Sequence, residues 1–238
     1  SVDFKYPLGG NESWVSGMFT GEFLLAYQLT GNKAFKEVVE RQLPGYRKRI
    51  DEKIKVGGHD VGFVFVPSCV AAYKALGSEE ARNIALDAAE HFYNNAYSEI
   101  GGIVVRSGKI RGNRTMMDTM MNITLLFWAG QETGDSKYTE AATSHYKTTE
   151  RLLVREDGSS FHHYMFEKPN FEPIRGLTLQ GHSDDSCWSR GQAWGIYGFP
   201  IAYSYTKDNS LIDLHEGVTN FALNHLPKDM IPYWDYDF

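Results

Sequence analysis

The chain has 238 residues, enough to bury a sizeable core in one large domain or two small ones. Its net charge is -6 with Lys and Arg dispersed, which argues against nucleic acid as a partner. No run approaches about 18 uninterrupted apolar residues, so a membrane span is not expected, and "SVDFKYPLGG" lacks the basic-then-apolar pattern of a signal peptide.

In chain order, "SWVSGMFTGEFLLAYQL" repeats apolar residues at helical spacing through Val15, Met18, Phe19, Phe23 and Leu24. After "TGN" comes a charged amphipathic helix, "KAFKEVVERQL", which Pro44 and Gly45 are expected to stop. The plan then recurs. "VGFVFVPSCVAAYKAL" is apolar almost all round, and "SEEARNIALDAAEHFYNNAY" after it is amphipathic. "MMDTMMNITLLFWAGQE" precedes "SKYTEAATSHYKTTERLLV", and "CWSRGQAWGIYGFPIAYSY" precedes "SLIDLHEGVTNFALNHL". Ser78, Asp135 and Asn209 in the hinges read as N-caps. Cys69 and Cys187 fall in helical patterns and read as buried thiols, with one disulfide left open; no Cys/His spacing matches a zinc site.

Fully apolar helices are buried, whereas amphipathic ones face water on one side. A ring of inner helices, each followed by an outer one, meets both demands: an all-α barrel of helical hairpins in a single domain spanning the chain. A plain bundle or an open solenoid is the alternative. Strand signals occur only between hairpins, in "GGIVVRSGKI" and "SSFHHYMFE", and suit short β excursions at one rim.

Counting about 16 residues back from the hinges at Gly31, Gly77, Gly134 and Lys207 reaches Trp14, Asp60, Asp118 and Arg190. That is roughly 25 Å, one inner helix. If the hinges share one end of the barrel, these four residues share the other and can form one site.

Each has a plain structural alternative. Asp118 and Asp60 can simply cap helices. The methionines around Asp118, however, would desolvate its carboxylate and favour a protonated acid able to donate in catalysis. Two carboxylates at equivalent helix starts also form a pair of the glycosidic acid/base kind. His59 reads as structural. In "GHSDDSCWSRGQAWGIYG", Asp184, Asp185 and Ser186 read as an N-cap cluster. Arg190 on an inner helix needs a partner, either Asp60 or Asp118, or an anionic substrate. Trp14, Trp188 and Trp194 are either core or platforms for sugar rings.

"HDVGF", "MMDTMMN" and "DDSCWSRGQAWGIYG", in this order, resemble the unsaturated glucuronyl hydrolases, glycoside hydrolase family 88. The resemblance runs from "ESWVSGMFTGEFLLAYQLTGN" to "PYWDYDF". It implies an (α/α)6 barrel, of which this chain would carry about four of six hairpins. It also implies removal of a 4,5-unsaturated uronic acid from the non-reducing end of lyase-generated oligosaccharides by hydration of the vinyl ether. Asp118 would be acid and base, Asp60 would assist, and Trp14, Gln180, Arg190 and Trp194 would line the sugar site, with Trp188 also expected to bind substrate. His162 matches a site position, although "FHHY" also offers His163. The chemistry needs no metal or organic cofactor, and the partner is a short unsaturated oligosaccharide. The resemblance suggests a cytoplasmic or bacterial periplasmic location. Its nearest rivals are an unsaturated rhamnogalacturonyl hydrolase of family 105 and a sugar-binding relic without turnover.

Overall fold

Each apolar helix ends on a left-handed residue at an expected hinge: Gly31, Gly77, Gly134 and Lys207. The computed structural model describes residues 10–98, 102–103, 113–167 and 170–237. In it α1 (Ser16–Thr30) is followed by α2 (Lys33–Asp51). Next, α3 (Val61–Phe65), a π-helical turn (Val66–Val70) and α4 (Ala71–Leu76) run on as one rod before α5 (Glu79–Ala96). Pro67 in that turn has no N–H to donate, so the helical ladder must widen around it. The short α6 (Thr119–Asn122) leads into α7 (Thr124–Thr133) and then α8 (Ser136–Leu152). Last come α9 (Ser189–Thr206) and α10 (Ser210–Asn224).

Burial follows the pattern read from the sequence. All of α3 is buried, and α7 is buried from Thr124 to Gly130. By contrast, α5 hides one stripe, including Ile84, Ala88 and Phe92. The inner helices touch in chain order, α1 with α3, α3 with α6, and α6 with α9. Two of these contacts need a missing side chain. A Cβ on Gly17 would overlap the carbonyls of Phe63 and Val64, and one on Gly62 would overlap the backbone of Asn122. The starts of the inner helices are thereby drawn together. The outermost inner helices are less covered, with Leu25 and Leu29 of α1 and Tyr197 of α9 exposed.

Several local expectations change. Pro44 does not stop α2, which runs on to Asp51. Its last turns are held by burial of Tyr46, Arg49 and Ile50. Arg49 donates to the carbonyls of Asn11, Ser13 and Ile54. Ser78 and Asp135 cap their helices, accepting from the N–H groups of Ala81 and Lys137. Asn209 does not, because its backbone is already helical; Asp208 accepts from the Ser210 N–H instead. Cys187 lies just before α9 rather than within a helix, and both cysteines are free and buried.

The frame is mostly helical rather than all-α. β1 (Tyr97–Ser98) pairs with β2 (Gly102–Ile103), and the rest of "GGIVVRSGKI" lies outside the described residues. β3 (Asn113–Met116), β4 (His163–Phe166) and β5 (Pro173–Leu177) form an antiparallel sheet in that order. No helix among the described residues is long and apolar enough to cross a membrane.

Candidate active site

Trp14, Asp60, Asp118 and Arg190 line one cavity of about 350 Å³. Each lies within two residues of the start of an inner helix, so the spacing argument holds: equal-length rods packed side by side bring their starts to one mouth. Arg114 and Met116 of β3 and His163 of β4 form one wall of that mouth. A larger hollow of about 700 Å³ lies between the Arg155–Gly158 turn and α10, and contains none of these residues.

The sheet register sets the partner of Asp118. Met116 pairs with His163, and the Met117 N–H continues the ladder to the carbonyl of His162. His162 is thereby set beside Asp118, with Nε2 3.0 Å from Oδ2. Both side chains are almost wholly buried, at 1% and 12% exposure. The approach is close but poorly directed for a hydrogen bond. Asp118 Oδ2, like Nδ1 of His162 and of His163, is buried with unmet hydrogen-bonding capacity.

The charge state of Asp118 corrects the expectation of a neutral acid. Burial, with Met117 and Met120 fully enclosed nearby, pushes its pKa upward. The His162 ring nitrogen beside it, and the fields of His59 and His163, outweigh burial and hold the carboxyl down at about 2. The methionine nest desolvates the acid, but the imidazole decides its protonation. His163 is pushed down to about 2, chiefly by burial and then by His162.

Asp118 and Asp60 both occupy N-cap positions, yet neither side chain makes a cap hydrogen bond. The capping alternative therefore fails for both. Asp60 is partly exposed in the cavity, 3.2 Å from Nε2 of His59.

Arg190 makes no ion pair with either aspartate. Its guanidinium donates to Gln180 Oε1 at 2.9 Å and lies over the Trp188 ring, 4.3 Å from the centroid. Gln180 lines the cavity and is held from behind. Its carbonyl accepts from Trp234 Nε1 at 2.6 Å, in a C-terminal strap that also carries the buried Asp235. Asp235 accepts from the His182 N–H and the Ser186 hydroxyl. The strap also does the work expected of Asp184, Asp185 and Ser186: the Ser189 N–H at the start of α9 donates to the Trp234 carbonyl.

Trp188 and Trp194 stand outside the lining. Trp188 is 1% exposed, behind His162 and Arg190. Trp194 lines a neighbouring apolar hollow, separated from the cavity by Phe63, whose ring centroid is 5.0 Å away. Sequence reasoning missed Arg114 and undervalued His59, both in the lining. Arg114 is two residues from Met116 on β3, and strand alternation puts both on the cavity face. Burial lowers the pKa of Arg114.

A cavity walled by two aspartates, histidines and arginines at the mouth of a helical frame carries the residue types that acid–base chemistry on a polar ligand requires. The sequence model of Glycosyl Hydrolase Family 88 matches residues 5–231, and the chain belongs to that family. It is 43% identical to an unsaturated chondroitin disaccharide hydrolase of Streptococcus pneumoniae, over 100% of this chain and 61% of the relative. It is 36% identical to an unsaturated glucuronyl hydrolase of a Bacillus species, over 98% of this chain and 63% of that one. A crystal structure of unsaturated glucuronyl hydrolase from Streptococcus agalactiae superposes with a TM-score of 0.93 at 38% identity, covering 98% of this chain and 59% of that one. The chain thus spans about three fifths of the length of these relatives.

Proposed function

We propose that this chain carries the acid–base end of a glycoside hydrolase that releases a 4,5-unsaturated uronic acid from the non-reducing end of a short oligosaccharide. Its helix pairs are read as four of the six hairpins of an (α/α)6 barrel forming one domain. The observation that carries the reading is the convergence of Asp118, Asp60, His162 and Arg190 on one cavity. The relatives' names favour an unsaturated chondroitin disaccharide as substrate.

In this reading Asp118 gains its catalytic proton when the substrate binds. The uronate's own carboxylate enters a buried, water-poor site. A second negative charge there favours the neutral form of Asp118, which takes up a proton from solvent as the ligand enters. Asp118 delivers it to C4 of the vinyl ether. As a carboxylate again, it takes a proton from the water that adds at C5. The hemiketal so formed opens and the glycosidic bond is lost. Asp60, beside His59, orients the water and the sugar hydroxyls. Arg114 and Arg190 hold anionic groups of the ligand, and Trp14 offers a ring face to the sugar.

The test is to mix the protein with unsaturated chondroitin disaccharide and follow the ultraviolet absorbance of the conjugated double bond. The reading expects the absorbance to decay, and Asp118→Asn to abolish the decay while the ligand still binds. Binding by the unsubstituted protein with no decay refutes the hydrolase reading.

A further inference from the structure

We propose that Asn122 is a positioning residue that caps the Asp60 helix from a neighbouring helix and so keeps the Asp60 carboxylate available to the cavity. The catalytic part of this claim rests on the hydrolase reading above; the structural part does not.

The argument starts from an unmet need. The first N–H groups of a helix have no partner within it, and an Asp at the N-cap position ordinarily accepts from the second or third of them. Asp60 occupies the N-cap of α3, its carbonyl accepts from Val64, and its side chain makes no cap bond. The third N–H, that of Phe63, is nevertheless satisfied. It donates to Oδ1 of Asn122 at 2.7 Å, across 59 residues of chain. Nδ2 of the same amide donates to the carbonyl of Asp118 at 3.1 Å. Asn122 is completely buried, and absence of a Cβ at Gly62 lets its backbone come close enough to serve.

One amide therefore does two things. It removes the N–H that would draw Asp60 back into its own helix, and it ties the Asp60 helix start to the Asp118 carbonyl. A residue with only an acceptor or only a donor could do one of these. Asn offers both from a planar group fixed on both sides. With the cap supplied from outside, the Asp60 carboxylate stands beside His59 in the cavity.

Asn122→Ala removes the external cap, while Asn122→Asp keeps an oxygen for the Phe63 N–H. Crystal structures of both variants decide the structural claim without any turnover. In Asn122→Ala the Asp60 carboxylate is expected to swing onto the Phe63 N–H; in Asn122→Asp it is expected to stay beside His59. Should Asn122→Ala fail to fold, Asn122→Ser, whose shorter side chain cannot span the gap, takes its place with the same expectation. On the unsaturated disaccharide, Asn122→Ala is expected to lower kcat about 100-fold with little change in KM. The same substitution made in Asp60→Asn is expected to cost almost nothing further. Asp60 staying beside His59 in the Asn122→Ala or Asn122→Ser structure overturns the proposal. So do strictly additive effects of the two substitutions. Loss of turnover in the unsubstituted protein would count against the hydrolase reading alone, because the crystallographic outcome stands apart from it.

Discussion

His162 Nε2 stands 3.0 Å from Asp118 Oδ2 inside a pocket where both side chains are nearly closed off from solvent. This contact, not the methionines, sets the charge of the acid. Replacing His162 with Asn should leave burial as the dominant influence and raise the Asp118 pKa from about 2 to above its ordinary value. Carboxyl-carbon NMR titration of the two proteins reads this directly; an unchanged titration would show that the imidazole does not hold the carboxylate.

The same depressed pKa has a consequence for stability. Because the folded value lies below the ordinary 3.8, the ion contributes fully above pH 3.8 and is lost as pH falls toward 2. The contribution is about 2 kcal/mol. Urea unfolding from about pH 4.5 down to about pH 2.5 should show a stability loss that is smaller by about 1.5 kcal/mol in Asp118→Asn.

Two buried histidines act in a higher range. His145 is held at about 3 by burial and then the field of His59, and His163 at about 2 by burial and then His162. Their folded pKa values lie below the ordinary 6.5, so the unfolded chain takes up protons first. Stability should be flat above pH 6.5 and decline below it, by roughly 1.4 kcal/mol per pH unit for each histidine. His145→Gln should reduce that slope in denaturant melts followed from neutral pH downward.

Arg190→Lys keeps the charge but loses the planar group that both bonds Gln180 and lies over Trp188. On the unsaturated disaccharide it should raise KM about tenfold with little change in melting temperature. A fall in kcat alone would assign Arg190 a different part.

Asp235→Ala should destabilise the protein by about 3 kcal/mol, because the Ser186 hydroxyl and the His182 N–H lose their buried acceptor. Thermal unfolding checks this. It should also loosen the Gln180 loop that the adjacent Trp234 holds.

Much of this was legible in the sequence. The alternation of wholly apolar and one-sided helices, with left-handed hinges at Gly31, Gly77 and Gly134, gave the order of inner and outer rods. Counting back along those rods brought Trp14, Asp60, Asp118 and Arg190 to one cavity. What stayed hidden came from contacts distant in sequence. The register that sets His162 beside Asp118 depends on β3 meeting β4 across about 50 residues, which no local pattern reveals. Pro44 reads as a helix end, yet tertiary burial of Arg49 and Ile50 carries α2 past it. The external cap from Asn122 and the strap at Trp234 likewise appear only when the chain is folded.

The account turns on where the proton sits once an anionic sugar is bound. The most direct measurement is the titration of the Asp118 carboxyl with and without a saturated glucuronate disaccharide, which offers the same carboxylate but no double bond. The account predicts a value of about 2 in the free protein and a rise of several units in the complex, enough to make the acid neutral in a large share of molecules near neutral pH. A carboxyl that stays at about 2 with the disaccharide bound would contradict it.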